Sequence, residues 1–104
     1  MIRINIKKTE TEFNVEVVGH ALYAAHGTDI VCAAVSMLTI NSVNSIDKFS
    51  KSKIAYKVND GMLKFDVSNI DDASKVLIDS MILGLEAVKE EYGNKYIEIN
   101  YLEV

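Results

Sequence analysis

Apolar and polar residues alternate with a period of two over Ile2, Ile4 and Ile6, set between Arg3, Asn5 and Lys7, and again over Phe13, Val15 and Val17. Such spacing puts every second side chain on one face, so both segments predict strands with one buried side. Thr9-Glu10-Thr11 between them predicts a hairpin turn, although it lacks an Asn-Gly or Asp-Gly step. Ile54, Tyr56 and Val58, then Leu63, Phe65 and Val67, repeat the pattern around Asn59-Asp60-Gly61, whose Asp-Gly step is the strongest turn signal in the chain. Ile97, Ile99 and Tyr101 give a fifth strand.

Between strands two and three the period changes. From Ile30 to Ile46 no side chain is charged, and small or apolar groups fall on nearly every face. This predicts a helix that opens on Thr28 or Asp29, ends between Asp47 and Ser50, and is almost wholly enclosed. Ser36, Thr39, Asn41, Ser42, Asn44 and Ser45 interrupt it too often for a span in hydrocarbon, where each polar group is costly. A second helix is expected from Asp71 or Asp72, stopped by Gly93 as a left-handed C-terminal residue. On it Asp72, Lys75, Asp79, Glu86 and Glu90 share a narrow polar arc, and Leu77, Met81, Gly84 and Val88 lie opposite, facing the sheet. Val76, Leu83 and Ala87 form an additional apolar flank, which either the first helix or a second copy of the chain must cover; a homodimer is expected. The order ββαββαβ predicts an α+β fold, a two-layer α/β sandwich with two helices packed on a mostly antiparallel or mixed five-stranded sheet. Strand order does not follow from the pattern.

At 104 residues the chain is expected to be a single domain, residues 1–104. One cysteine excludes a disulfide within the chain, and no Cys/His spacing suits a zinc site, so neither metal nor cofactor is implied. The first residues, Met1 to Lys8, have no secretory signal pattern, and with the lone thiol this points to a cytoplasmic protein with no membrane partner. A net charge of -4 argues against a direct nucleic-acid partner and favours a basic peptide. Lys48, Lys51, Lys53 and Lys57 are the local exception and read as a solvated helix end and strand edge.

The candidate chemistry is concentrated between Gly19 and Ser36, which holds the one cysteine, both histidines and two of the five glycines. Its first half reads as a glycine-bounded loop and its second as a helix start. Cys32 then falls in the first helical turn, where unpaired N–H groups and the dipole stabilise a thiolate. A cysteine there is either a small buried hydrophobe or a nucleophile. His20 is held beside Gly19 at the end of strand two and His26 sits in mid-loop, so His20 is the better-placed base. Asp29 and Ser36 lie on the same side of the helix as Cys32. Asp29 is either an N-cap or an orienting group for the imidazole or loop; Ser36 either bonds the carbonyl four residues back or contacts thiol or substrate. Tyr23 is a loop anchor or part of a substrate wall.

Gly-His-Ala-x-Tyr-Ala-x-x-Gly-x-Asp-Ile-Val-Cys-Ala-Ala-Val-Ser, spanning Gly19 to Ser36, resembles the signature of the ribosomal-processing cysteine proteases called Prp. Looser similarity extends over the isoleucine-rich first strand, Ile82-Leu83-Gly84-Leu85 and the closing strand. The resemblance implies a homodimeric peptidase that removes an N-terminal extension from a large-subunit, L27-type ribosomal protein, with Cys32 and His20 as the catalytic pair. It implies cleavage after two aromatic residues and a gating loop between His20 and Asp29, bounded by Gly19 and Gly27. Helix-start N–H groups around Cys32 are the expected oxyanion donors. The chain departs from the family at Gly93-Asn94-Lys95, where a proline is common, and at Met37, where a smaller residue is usual. Two other classes fit the residues alone. A thiol redox sensor would need no basic histidine, and a non-catalytic ribosome-assembly dimer module would lose nothing on Cys32→Ala.

Overall fold

The computed structural model describes residues 1–21, 24–25 and 29–102. The elements run β1 (Ile2–Lys8), β2 (Glu12–Val18), α1 (Ile30–Phe49), β3 (Lys53–Asn59), β4 (Met62–Ser68), α2 (Asp72–Tyr92) and β5 (Ile97–Leu102). They build a single sheet in the order β3-β4-β2-β1-β5, antiparallel except for the parallel β1–β5 pair. The mixed two-layer sandwich read from the pattern is the fold observed.

Both helices cross between strands of like direction, α1 from β2 past β4 to β3, and α2 from β4 past β2 and β1 to β5. β2 and β4 run in opposite directions and the two crossovers move opposite ways, so a common hand puts both helices on one face. That face carries Ile2, Ile4, Ile6, Phe13, Val15, Phe65, Val67 and Ile97, all buried. The other face bears polar side chains, including a chain in which Asn100 donates to Asn5 and Asn5 donates to Glu16. Strand β3 is an edge, so its apolar row is only partly covered: Tyr56 is 46% and Val58 51% exposed.

Local chemistry sets the helix boundaries. Asp29 caps α1 and Asp71 caps α2, the latter in a capping box in which Ser74 N–H donates to Asp71 and Asp71 N–H donates to Ser74 Oγ. Hydrogen bonds from Ser74 and Lys51 N–H hold the Asp71 carboxyl below its usual range. Gly93 ends α2 with φ +91° and ψ 167°, so it takes a positive φ without being the left-handed helical residue expected.

Helix α1 is long and apolar enough by composition to span a bilayer, but Val31, Val35, Val43 and Ile46 bury one side of it in the core. It is not wholly enclosed as the sequence suggests: Met37 is 63% exposed, and Asn41 and Asn44 face solvent with it. Uncharged is not the same as buried, since a helix on one side of a sheet meets only the sheet and one neighbour. Helix α2 is also rotated from its expected setting. Ser74, Ile78, Met81 and Leu85 are its buried residues, while Gly84 turns to α1 instead of the sheet. A side chain begun at Gly84 would stand 2.8 Å from Leu38 Cδ2. Together with the Ser52–Ser74 hydroxyl bond at the other end, this contact makes the helices antiparallel neighbours. Gly84→Leu should therefore lower unfolding free energy by about 1–3 kcal/mol in urea titration, because overpacking forces the helices apart. Unchanged stability would show that the contact is not tight. Helix α1 does not cover the remaining α2 flank, since Val76 is 67% and Leu83 74% exposed.

Candidate active site

Strand β2 ends at Val18, which pairs with Met62 at the start of β4. This register sets the β3–β4 turn beside the segment that leaves β2. Gly19 donates its N–H to Gly61 O at 2.8 Å and holds φ +93°. A Cβ there would fall 2.6 Å from Met1 O, a backbone atom with little room to move, so glycine is required both by torsion and by space. His20 follows, exposed at the surface, with Nε2 against Gly61 at a distance that would put a Cβ 3.4 Å away.

Across from it α1 begins. Asp29 is 8% exposed, and its Oδ1 accepts from Val31 and Cys32 N–H, each at 3.0 Å, while Oδ2 accepts from Ala24 N–H at 3.3 Å. The carboxylate thus caps the helix and ties Ala24, in the preceding segment, to the helix start. Asp29→Asn keeps an oxygen for the cap but offers nitrogen where Ala24 needs an acceptor. Expected is a stability change of only a few tenths of a kcal/mol, against about 1 kcal/mol for Asp29→Ala. Both are readable by thermal and urea unfolding; equal losses would mean that the cap carries none of Asp29's contribution.

Cys32 is half-buried in the first turn, and the N–H of Ala21 donates to its Sγ at 3.3 Å. The segment leaving β2 therefore bends back onto the sulfur. Among the described residues His20, Asp29, Cys32 and Ser36 line one cleft of about 570 Å³. Its far wall is apolar, with Val17, Ile40, Val58, Met62 and Leu63 drawn from the sheet and α1. Ser36 is exposed, and its hydroxyl makes no bond to the carbonyl four residues back; its carbonyl accepts from Thr39 Oγ1 at 3.1 Å. Tyr23, His26, Gly27 and Thr28, and with them the expected gate, lie outside the described residues.

Three features escaped the sequence reading. Gly61 and Asn59 line the cleft because β4 pairs with β2, a long-range pairing that no local pattern encodes. The Ala21 N–H that reaches the thiol is a backbone group with no residue signature. The Val31, Cys32 and Ala33 N–H groups at the helix start, expected to face substrate, are already committed, since Val31 and Cys32 donate to Asp29 Oδ1 and Ala33 donates to Asp29 O at 3.0 Å. Chemically, the cleft offers a sulfur nucleophile, an imidazole and an apolar bed for an extended chain.

A family model described as cysteine protease Prp matches residues 1–98. The ribosomal processing cysteine protease Prp of Staphylococcus aureus is 31% identical over 86 residues, 80% of either chain. The protein of that description in Bacillus subtilis is 27% identical over 101 residues, 88% of this chain and 90% of that one. The crystal structure of the S. aureus protease with a covalently linked product peptide superposes with a TM-score of 0.83 at 29% identity, covering 98% of this chain and all of that one. Its complex with a substrate peptide gives 0.77 at 28% identity, with the same coverage.

Proposed function

Because the chain belongs to the Prp family of cysteine proteases, we propose that it removes the N-terminal extension of a large-subunit, L27-type ribosomal protein, with Cys32 as nucleophile and His20 as base. The observation that carries this reading is the convergence of Cys32 Sγ, His20 and an apolar wall on one cleft, with a backbone N–H already directed at the sulfur.

The steps follow from the groups present. His20 takes the thiol proton, or holds it as the cationic half of an ion pair, and the Cys32 thiolate attacks the scissile carbonyl. The Sγ–C bond forms as the carbonyl electron pair moves to oxygen. Collapse of that oxyanion breaks the C–N bond, and the leaving amine takes the proton from His20. Water, deprotonated by His20, then releases the acid product and frees the thiol. Val17, Ile40, Val58, Met62 and Leu63 supply the apolar surface that two aromatic side chains ahead of the scissile bond would require. Asp29 holds the helix start that carries Cys32, and Ser36 faces the same cleft with a hydroxyl available to the peptide.

The protein acts in this reading as a cytoplasmic homodimer, with no direct contact to nucleic acid or membrane. Exposed Val76 and Leu83 on α2 and Met37 on α1 support the dimer, since apolar side chains left uncovered on a packed helix layer favour a second copy. The net charge of -4 would draw a basic ribosomal-protein segment to the enzyme.

The test of the substrate is direct. The purified chain should shorten an L27-type protein bearing its extension, and should leave untouched the same protein with the two aromatic residues ahead of the cleavage point replaced by alanine. Cleavage of both at equal rates, or of neither, would contradict the assignment.

A further inference from the structure

We infer that the main-chain N–H of Ala21, rather than the Val31, Cys32 and Ala33 N–H groups at the start of α1, is the oxyanion donor of this protease; the inference rests on Cys32 being the nucleophile. The helix start looks like the natural donor, but in this chain the Asp29 side chain turns back into it. Asp29 Oδ1 accepts from both Val31 and Cys32, and Asp29 O accepts from Ala33. To serve an oxyanion, the Val31 and Cys32 N–H groups would have to abandon a carboxylate that is 8% exposed, and the Ala33 N–H would have to abandon a helical main-chain bond.

Ala21 is differently placed. It is buried, 2% exposed, directly follows His20, and points its N–H at Cys32 Sγ from 3.3 Å. Gly19 fixes the approach through its bond to Gly61 O and its tight fit against Met1 O, so the donor is held by the sheet rather than by a side chain. When the Sγ–C bond forms, negative charge leaves sulfur for the carbonyl oxygen bonded to the same carbon. Sulfur becomes a poor acceptor, and the oxygen falls within reach of the donor that had faced the thiolate. Productive oxyanion donors lie about 3 Å from the developing charge. A small tilt of the carbonyl transfers the Ala21 bond from sulfur to oxygen, and the donor then serves the resting thiolate and the tetrahedral intermediate in turn. The Gly-His-Ala run consequently carries two parts of the site, an imidazole and, one residue on, a main-chain donor.

The test needs no mutation. A peptide aldehyde ending in two aromatic residues adds to the cysteine as a hemithioacetal, whose oxygen stands where the oxyanion forms. In 15N–1H spectra of the labelled full-length chain, the Ala21 amide proton should move strongly downfield on adduct formation, with Ile30, Val31, Cys32 and Ala33 amides moving far less. A downfield shift at the helix-start amides with Ala21 unmoved overturns the inference while leaving Cys32 as nucleophile. Failure of the aldehyde to modify Cys32 overturns the nucleophile assignment itself. A second measurement removes the donor: joining synthetic residues 1–31, with an ester in place of the Ala21 amide, to residues 32–104 by ligation at Cys32 gives the full chain without that N–H. kcat should fall by about 100- to 1,000-fold with KM changed no more than a few-fold, as for loss of one oxyanion donor. A kcat within a few-fold of the all-amide protein, in a chain with unaltered circular dichroism, would contradict the inference.

Discussion

Cys32→Ala is expected to lower kcat by about four to six orders of magnitude on the extended ribosomal protein, the scale of loss when a hydrolase loses its nucleophile. The fold should survive, because Cys32 is only half-buried and packs beside the core rather than filling its centre. His20→Ala should cost about 100- to 10,000-fold, the contribution of one general base. In the proposed pair the two side chains act on the same proton, so the double variant should be barely worse than Cys32→Ala. Independent, multiplying losses would mean that His20 acts elsewhere. Equal thermal midpoints for all three variants are part of the prediction, since His20 is exposed and neither change opens a large cavity.

The other large effect is expected far from any reactive atom. Gly19→Ala should cost about 3 kcal/mol or more, because the residue holds φ +93° and its Cβ would meet Met1 O at 2.6 Å. To relieve that contact the segment leaving β2 must lift from the sheet, carrying His20 and Ala21 with it. Activity should therefore fall more than the loss of folded protein explains, at a temperature where the variant is still folded by circular dichroism. Gly93→Ala is the control, with φ +91° but open space around its Cβ and a position at the end of α2. It should lose stability from strain alone and keep full activity per folded molecule. If Gly19→Ala behaves like Gly93→Ala, the geometry of the Gly19 segment does not matter to the chemistry.

Sequence and structure agree where a property is local. Every strand lies where the alternation set it, because period two is a statement about neighbouring residues, and each cap is one of the two residues offered for it, because capping is settled within four residues. Disagreements begin where an element must divide its surface among several neighbours. The periodicity of α2 reports one broad apolar side but not that Ile78 and Leu85 take the sheet while Gly84 takes Leu38. The absence of charge in α1 reports tolerance of burial, not burial, and Met37 stays at the surface. Strand order depends on β2 pairing with β4 across the whole first helix, and with it the neighbours of His20. For the site, Cys32 and His20, which line one cleft, could be singled out because their types are rare in this chain. The main-chain groups around them could not, since every residue but proline carries the same N–H.

The alkaline behaviour of Tyr101 lies outside the cleft: partial burial and the Glu86 carboxylate push its phenol up to about 12. The neutral form is thus favoured in the folded chain, and the stability it contributes is lost only as pH rises above the usual phenol value.

The most direct measurement of the central claim is a single-turnover reaction of enzyme in excess over extended peptide, quenched in acid and read by intact and fragment mass. A transient adduct is expected, equal to the residues ahead of the scissile bond joined as a thioester to Cys32, forming before free acid product appears and accumulating no further in His20→Ala. Cleavage without any adduct on Cys32, or cleavage that persists at full rate in Cys32→Ala, would contradict it.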